Sequence, residues 1–142
     1  MTLSTTEENK RVARRTVEAY NEKNLDVFDK VFAEDVIDHT SSGETKGREG
    51  SKEGLETLYS AFPDLQITID ELIAEGDTVA IRSTHRGTHE GTFMDIEPTG
   101  KQFEMENTVF ARFEDGKVVE RWIQADVFGL MQQLGAVDPP RE

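Results

Sequence analysis

The sequence predicts one α+β domain over residues 1–142, and three observations carry that assignment. Apolar residues recur at helical spacing through the first sixty positions, strand-like alternation takes over from Leu65, and Asp115-Gly116 sits between two apolar runs. Helices first and an antiparallel meander afterwards is the α+β pattern. The chain is long enough to bury a real core, and no repeat, linker or low-complexity tract divides it.

Ser4-x-x-Glu7 and Thr5-x-x-Glu8 both match a capping box, so a first helix is predicted from Ser4 or Thr5 to Asn21. Val12, Val17, Ala19 and Tyr20 form its apolar stripe, with Arg11, Arg14 and Arg15 on the wet side. Asn24 is expected to cap a short second helix, Leu25 to Phe32, whose apolar residues include Phe28. Glu34 to Thr40 has strand character and runs into a polar loop, 41–45. A third helix is predicted from Arg48 to Ala61, carrying Leu55, Leu58 and Tyr59 inward, and Pro63 stops it.

From Leu65 the period is two, with Ile67, Ile69 and Ile73 alternating against polar neighbours. Glu75-Gly76-Asp77 turns the chain into a second strand, Thr78 to His85. Residues 87–100 hold three glycines and a proline and read as a bent excursion. Lys101 to Glu114 is a third long strand, with Met105, Asn107 and Val109 on one face. Asp115-Gly116 predicts a tight hairpin into a last strand, Lys117 to Ala125, and a helix follows from Val127 to Leu134. Pro139-Pro140 reads as a loose tail.

Because strand side chains alternate faces, Val118, Glu120, Trp122, Gln124 and Asp126 are expected on one side of the last strand and Val119, Arg121, Ile123 and Ala125 on the other. The row with Trp122 is apolar at depth and polar at one end, as in the wall of a small-molecule cavity. Trp122, Gln124, Asn107, Met105, Tyr59 and Phe28 are therefore the expected ligand contacts. Two roles stay open for Asp126. It either meets the ligand or caps the final helix, since Asp is a favoured N-cap.

The formal charge is −13, from 29 acidic against 16 basic residues. Such a balance opposes binding to nucleic acid or to an anionic membrane surface. Only 35% of residues are hydrophobic, mean hydropathy is −0.60, and no stretch has the apolar length to span a bilayer. The N-terminus lacks a basic start and an apolar segment, so a cytoplasmic protein is expected. High net charge would also suit a salt-rich cytoplasm.

There is no cysteine, which excludes disulfides and thiolate chemistry. His85-x-x-x-His89 has a metal-like spacing only on a helix; along a strand four residues span roughly 13 Å, so no metal is expected. No glycine-rich phosphate loop and no GxSxG elbow is present. What remains is carboxylate and imidazole chemistry, with Asp126, His85 and His39 as candidate acid/base groups. A carboxylate beside Trp122 in a dry cavity would lose solvation and become a better proton carrier near neutral pH.

Several motifs occur in a familiar order. They include Arg14-Arg15 before Tyr20-Asn21, Asp35-Val36-x-Asp38-His39, Ala61-Phe62-Pro63-Asp64, and Gly87-Thr88-His89-x-Gly91-x-Phe93 followed by Pro98-Thr99-Gly100-Lys101. Gly116-Lys117-x-x-Glu120-x-Trp122-x-x-x-Asp126-x-x-Gly129-Leu130 and Gln133-Leu134-Gly135 complete the set. Together they resemble the SnoaL-like polyketide cyclases, or ester cyclases, of the NTF2-like superfamily. The resemblance implies a cone: a curved, mostly antiparallel sheet wrapped around a cavity that N-terminal helices close.

It also implies intramolecular aldol cyclisation on a hydrophobic small molecule, without metal or cofactor, with Asp126 at the position of the acid/base Asp and His85 near a cavity histidine. Asp95 and Ser83 depart from the family's usual residues, and Ser83 would make the cavity wider or more polar. Two other readings compete with the cyclase: a non-catalytic NTF2-like module for binding or assembly, and an epoxide hydrolase-like enzyme of the same cone. A homodimer or larger assembly is expected through the outward sheet face, on Phe110, Val119 and Ile123.

Overall fold

The structure, a computed structural model, describes residues 5–137. Ser4 and Pro139-Pro140 lie outside them. Helix α1 (Thr5–Glu22) and helix α2 (Asp26–Val31) form a hairpin that leads into strand β1 (Phe32–Thr40). A two-residue turn leads to β2 (Gly43–Lys46) and helix α3 (Arg48–Ala61), followed by β3 (Gln66–Glu75), β4 (Thr78–Thr88), β5 (Gln102–Glu114), β6 (Lys117–Ala125) and α4 (Val127–Gln133). The polar loop expected at 41–45 is thus partly a short strand. Asn24 contributes only its backbone carbonyl, to Val27 N; α2 has no side-chain cap.

The six strands form one sheet in the order β2-β1-β6-β5-β4-β3, and only the β1–β6 pair is parallel. The meander from β3 to β6 follows the hairpin signals in the chain. Asp115 and Gly116 both take positive φ, 50° and 78°, as a tight primed turn demands. On β4 the inward row is Val79, Ile81, Ser83 and His85; on β5 it is Phe103, Met105, Asn107, Val109, Ala111 and Phe113.

On β6 the alternation breaks. Phe113 pairs with Val118 and Arg112 pairs with Glu120, so Val119 has no partner on β5 and forms a bulge. A one-residue slip exchanges the faces of a strand. From Glu120 onward the inward row is therefore Arg121, Ile123 and Ala125, and Trp122 and Gln124 point outward.

Two apolar clusters brace the ends of the concave face. One gathers Phe28, Phe32, Val36, Val79, Ala111, Phe113 and Val118, with Phe28 stacked on Phe32 at 4.8 Å. The other gathers Ala61, Phe62, Leu65, Phe103, Leu130 and Leu134. Polar side chains tie elements together where backbones cannot pair. Asn21 donates to Ile67 O and accepts from Ile67 N, docking α1 on β3. Gln133 does the same for Glu104 on β5, from the last turn of α4.

The excursion 89–101 is pinned through its backbone. Glu90 N and Gly91 N both donate to Ala61 O at the end of α3, and a Cβ on Gly91 would collide with the Ser60 carbonyl. Gly91→Ala should therefore destabilise the protein by about 1–3 kcal/mol. Gly54 is helical with nothing near its missing Cβ, so Gly54→Ala should add about 0.5–1 kcal/mol. Thermal unfolding of the pair checks the clasp; equal melting temperatures would contradict it.

Candidate functional site

Between the two apolar clusters lies a cavity of about 570 Å³. Ala13 and Val17 of α1, Leu55 and Leu58 of α3 and Phe28 of α2 close it over the sheet, and Val127 and Leu130 of α4 bound one end. That volume suits a drug-sized ligand, and the walls are mainly apolar with a few polar groups.

The first polar set comes from β4 and β5. Ser83 and Asn107 are paired across the two strands, His85 pairs with Met105 one step along, and Ser83, His85 and Asn107 are all buried on the inward face. Asn107 Nδ2 lies 3.2 Å from His85 Nε2, and Ser83 Oγ donates to Asn107 O at 3.4 Å. With the amide in this orientation Nδ2 donates to Nε2, which places the imidazole proton on Nδ1. Burial lowers the His85 pKa from 6.5 to about 4, so the ring is neutral near pH 7.

The second set is an ion pair. Asp38 and Arg121 are register partners on β1 and β6, and they meet in a bidentate contact: Nε to Oδ1 at 2.8 Å, Nη2 to Oδ2 at 2.7 Å. Ser51 Oγ donates to Asp38 Oδ2 at 2.7 Å, Arg121 Nη1 donates to Tyr20 OH at 2.6 Å, and the guanidinium lies over the Phe32 ring. Burial opposes both charges. For Asp38 the hydrogen bonds and charge of Arg121, with Ser51, outweigh that penalty and hold its pKa below the usual carboxylate range; for Arg121, Tyr20 and Asp38 raise it. Each charge answers the other, which leaves the cavity without a free charge on this wall.

The predicted contacts divide. Phe28, Met105, Asn107 and His85 line the cavity. Trp122 does not: it is 42% exposed on the outer face, because the Val119 bulge turns it there. Gln124 is exposed on the same side. His39 follows Trp122 outward; its ring stacks on the indole at 5.3 Å, and Nε2 is 2.6 Å from Glu120 Oε2. Tyr59 sits behind the cavity wall, donating to Tyr20 O at 2.7 Å, and burial pushes its hydroxyl up to about 12. Asp126 is exposed and accepts a hydrogen bond from Gly129 N at 3.0 Å as the N-cap of α4, although its neighbours Ala125 and Val127 both line the cavity.

Sequence reasoning missed Arg121, Asp38 and Ser51. Arg121 becomes an inward residue only through the bulge, and no residue near Val119 announces one. His89 is fully buried and apart from His85: Thr99 N donates to its Nδ1 at 3.2 Å, and Thr99 Oγ1 lies 3.0 Å from the same nitrogen. No cluster of three metal-ligating side chains occurs among the described residues. Asp64 accepts from Thr88 N and Thr88 Oγ1, both at 2.7 Å, so the Phe-Pro-Asp and Gly-Thr-His motifs hold each other.

The low His85 pKa has a stability consequence. Between about 4 and 6.5 the unfolded chain binds a proton at this residue that the folded chain refuses, so stability rises with pH across that window and is lost as pH falls. The contribution is about 3 kcal/mol. His85→Gln should flatten this part of the stability profile relative to the wild type. Parallel profiles from denaturant titrations at pH 4.5, 5.5 and 6.5 would contradict the burial.

No helix among the described residues is long and apolar enough to cross a membrane. The model of SnoaL-like polyketide cyclases matches residues 10–134. No curated protein matches the chain. Among solved structures, AclR, a proposed hydroxylase from Streptomyces galilaeus, is 31% identical, with a TM-score of 0.86 over 96% of this chain and 87% of that one. IdmH, a proposed polyketide cyclase from Streptomyces antibioticus, is also 31% identical, with a TM-score of 0.82 over 89% and 98%. TsrD from Streptomyces laurentii is 26% identical, with a TM-score of 0.86 over 96% and 100%. The cavity, the unclosed curved sheet and these matches agree: the chain belongs to the SnoaL-like polyketide cyclase family and has the NTF2-like fold.

Proposed function

We propose that the chain is a cofactor-free enzyme that moves a proton next to a carbonyl in a hydrophobic small molecule, the step that closes a polyketide ring by intramolecular aldol addition. The supporting observation is the neutral His85 ring on the wall of an apolar cavity, with its Nε2 engaged by Asn107 and no hydrogen bond to Nδ1 from the described residues. A neutral imidazole can donate from Nδ1 to a carbonyl oxygen, as in the handling of triosephosphates by a neutral histidine. Asp38 is unsuited to the base role because Arg121 and Ser51 occupy both its oxygens.

Asp126 takes that role by rotating from its cap toward the cavity that Ala125 and Val127 line. Its carboxylate removes a proton from the carbon between two carbonyls; the enolate carbon bonds to the carbonyl carbon polarised by His85; and the resulting alkoxide takes the proton back from Asp126. A methylene flanked by two carbonyls is acidic enough for a carboxylate to serve.

The test is turnover of a linear poly-β-ketone ester. Asp126→Asn should lower kcat by about 10²–10⁴ while leaving stability nearly unchanged, and His85→Leu by about 10²–10³. Asp126→Ala should in addition cost about 0.5–2 kcal/mol of stability through the lost cap. Wild-type turnover in Asp126→Asn would leave Asp126 as a cap alone. No turnover by the wild type across such esters would favour a non-catalytic binding module.

The proposal includes a homodimer through the outer sheet face. Phe110 and Trp122 are cross-strand partners there, 50% and 42% exposed, and the His39 ring stacks on Trp122 beside them. Ile123, expected on this face, lines the cavity instead, again because of the bulge. Light scattering should give at least twice the 16.0 kDa chain mass, and Trp122→Arg should shift it toward one chain. A monomer at all salt concentrations would refute the assembly.

A further inference from the structure

One glycine has no reason in the fold for lacking a side chain. Six of the glycines hold positive φ, and at Gly50, Gly87, Gly91 and Gly129 a neighbouring atom stands too close to admit a Cβ without a shift. Gly54 has neither feature. Its backbone belongs to the interior of α3, and nothing lies within 4 Å of where its Cβ would stand. A glycine inside a helix gives up stability that an alanine would supply, and packing offers no return for that loss here.

The position of Gly54 supplies the return. It lines the cavity and is also exposed, a combination it shares with Ser41, Ser42, Thr57 and Met94. Residues that border the interior and the water at once mark the opening. On α3 the inward row is Ser51, Leu55 and Leu58, and Gly54 and Thr57 flank it on the side that opens. None of the five exposed lining residues is charged, although Glu53, Glu56 and Asp95 stand next to them in the chain. Hydroxyls of the rim are used locally: Thr57 Oγ1 donates to Glu53 O, and Thr40 Oγ1 donates to Gly43 O and accepts from Ser42 N. An apolar solute can cross such a rim without stripping an ion of its water.

We infer that Gly54 is the residue that sets the width of the cavity mouth: a ligand passes over its bare backbone, and a side chain there would narrow the opening from the α3 side. Gly54 contributes no chemistry. It decides what size of ligand enters and how fast that ligand leaves. Helix stability is given up for an open passage, the trade-off expected where a binding function limits stability. Gly50, one turn earlier, is not equivalent, because its missing Cβ would meet Thr45 Cγ2 and the space is already filled. Control of entry holds for a catalytic cavity and for a non-catalytic one alike, so the inference does not rest on the proposed reaction.

The test is stopped-flow fluorescence at pH 7 with 6-propionyl-2-(dimethylamino)naphthalene, a neutral apolar probe whose emission shifts in a dry site. Gly54→Leu should slow association and dissociation by the same factor, at least about 10-fold, and leave Kd within about 3-fold, because a narrowed passage is crossed in both directions. Gly54→Ala should slow both by about 2–3-fold. Alanine also stabilises α3, so Thr57→Ala separates stiffening from occlusion: it too raises helix propensity, yet it strips bulk from the same rim and should speed exchange. Glu56→Leu, exposed on the outward face of α3, should leave both rates unchanged. Unchanged rates in Gly54→Leu would overturn the inference, and so would faster dissociation with unaltered association, which would make position 54 a contact within the site. Slower exchange in Thr57→Ala would assign the effect to helix stiffness and overturn it as well. A wild type that takes up no probe overturns it too, since an open mouth should admit one. The comparison of Gly54→Ala with Thr57→Ala decides the matter even if Gly54→Leu fails to fold.

Discussion

Val119 has no partner on β5, and the faces of all later residues of β6 depend on it. Through that bulge Arg121 enters the cavity, where it meets Asp38 from the parallel neighbour β1, and Ile123 and Ala125 follow it. Without the extra residue, Glu120, Trp122 and Gln124 would face inward. The cavity would then have an unpaired carboxylate and an indole filling much of its volume, and Asp38 would lose the guanidinium that keeps it charged. A buried carboxylate left alone in this way costs about 3–5 kcal/mol. The bulge and the ion pair are therefore one constraint: each is stable only if the other is present.

That constraint also explains why the cavity can be electrostatically quiet in a chain of formal charge −13. The acidic surplus is carried at the surface, and the charges on the cavity wall close on themselves through Arg121, Tyr20, Asp38 and Ser51. Burial then acts on His85 unopposed. No carboxylate stands near enough to favour its protonated form, so desolvation alone sets its direction. A neutral ring held by an amide is the result, and it is suited to polarising a carbonyl more than to holding a proton.

Most of the architecture was legible in the chain. The bounds of α3 and β6, the hairpin at Asp115-Gly116 and the inward row of β5 follow from spacing and turn chemistry, because those elements are regular over many residues. Phe28, Met105 and Asn107 were legible as cavity residues for the same reason, and His85 through the family resemblance. Trp122, Gln124 and His39 were not. Their placement depends on one unpaired residue, and Val118-Val119 offers no glycine or other local signal to mark it. The two roles left open for Asp126 differ in a side-chain rotation, which spacing cannot specify, and the structure shows the capped rotamer.

The residues that mark the family most distinctly spend their hydrogen bonds on the scaffold. Asp64 holds Thr88, Thr99 holds His89, and the Gly91 backbone approaches the end of α3 so closely that no side chain fits. Gln133 completes the edge of β5. These contacts specify the fold and leave the contents of the cavity open. The contents are set instead by inward positions whose identity the fold does not require: Ser83, His85, Asn107 and Ile123. Changing any of these alters polarity or proton chemistry at the wall while the clasp of the 89–101 excursion stays intact. The fold can accordingly persist while the chemistry offered by the cavity wall changes.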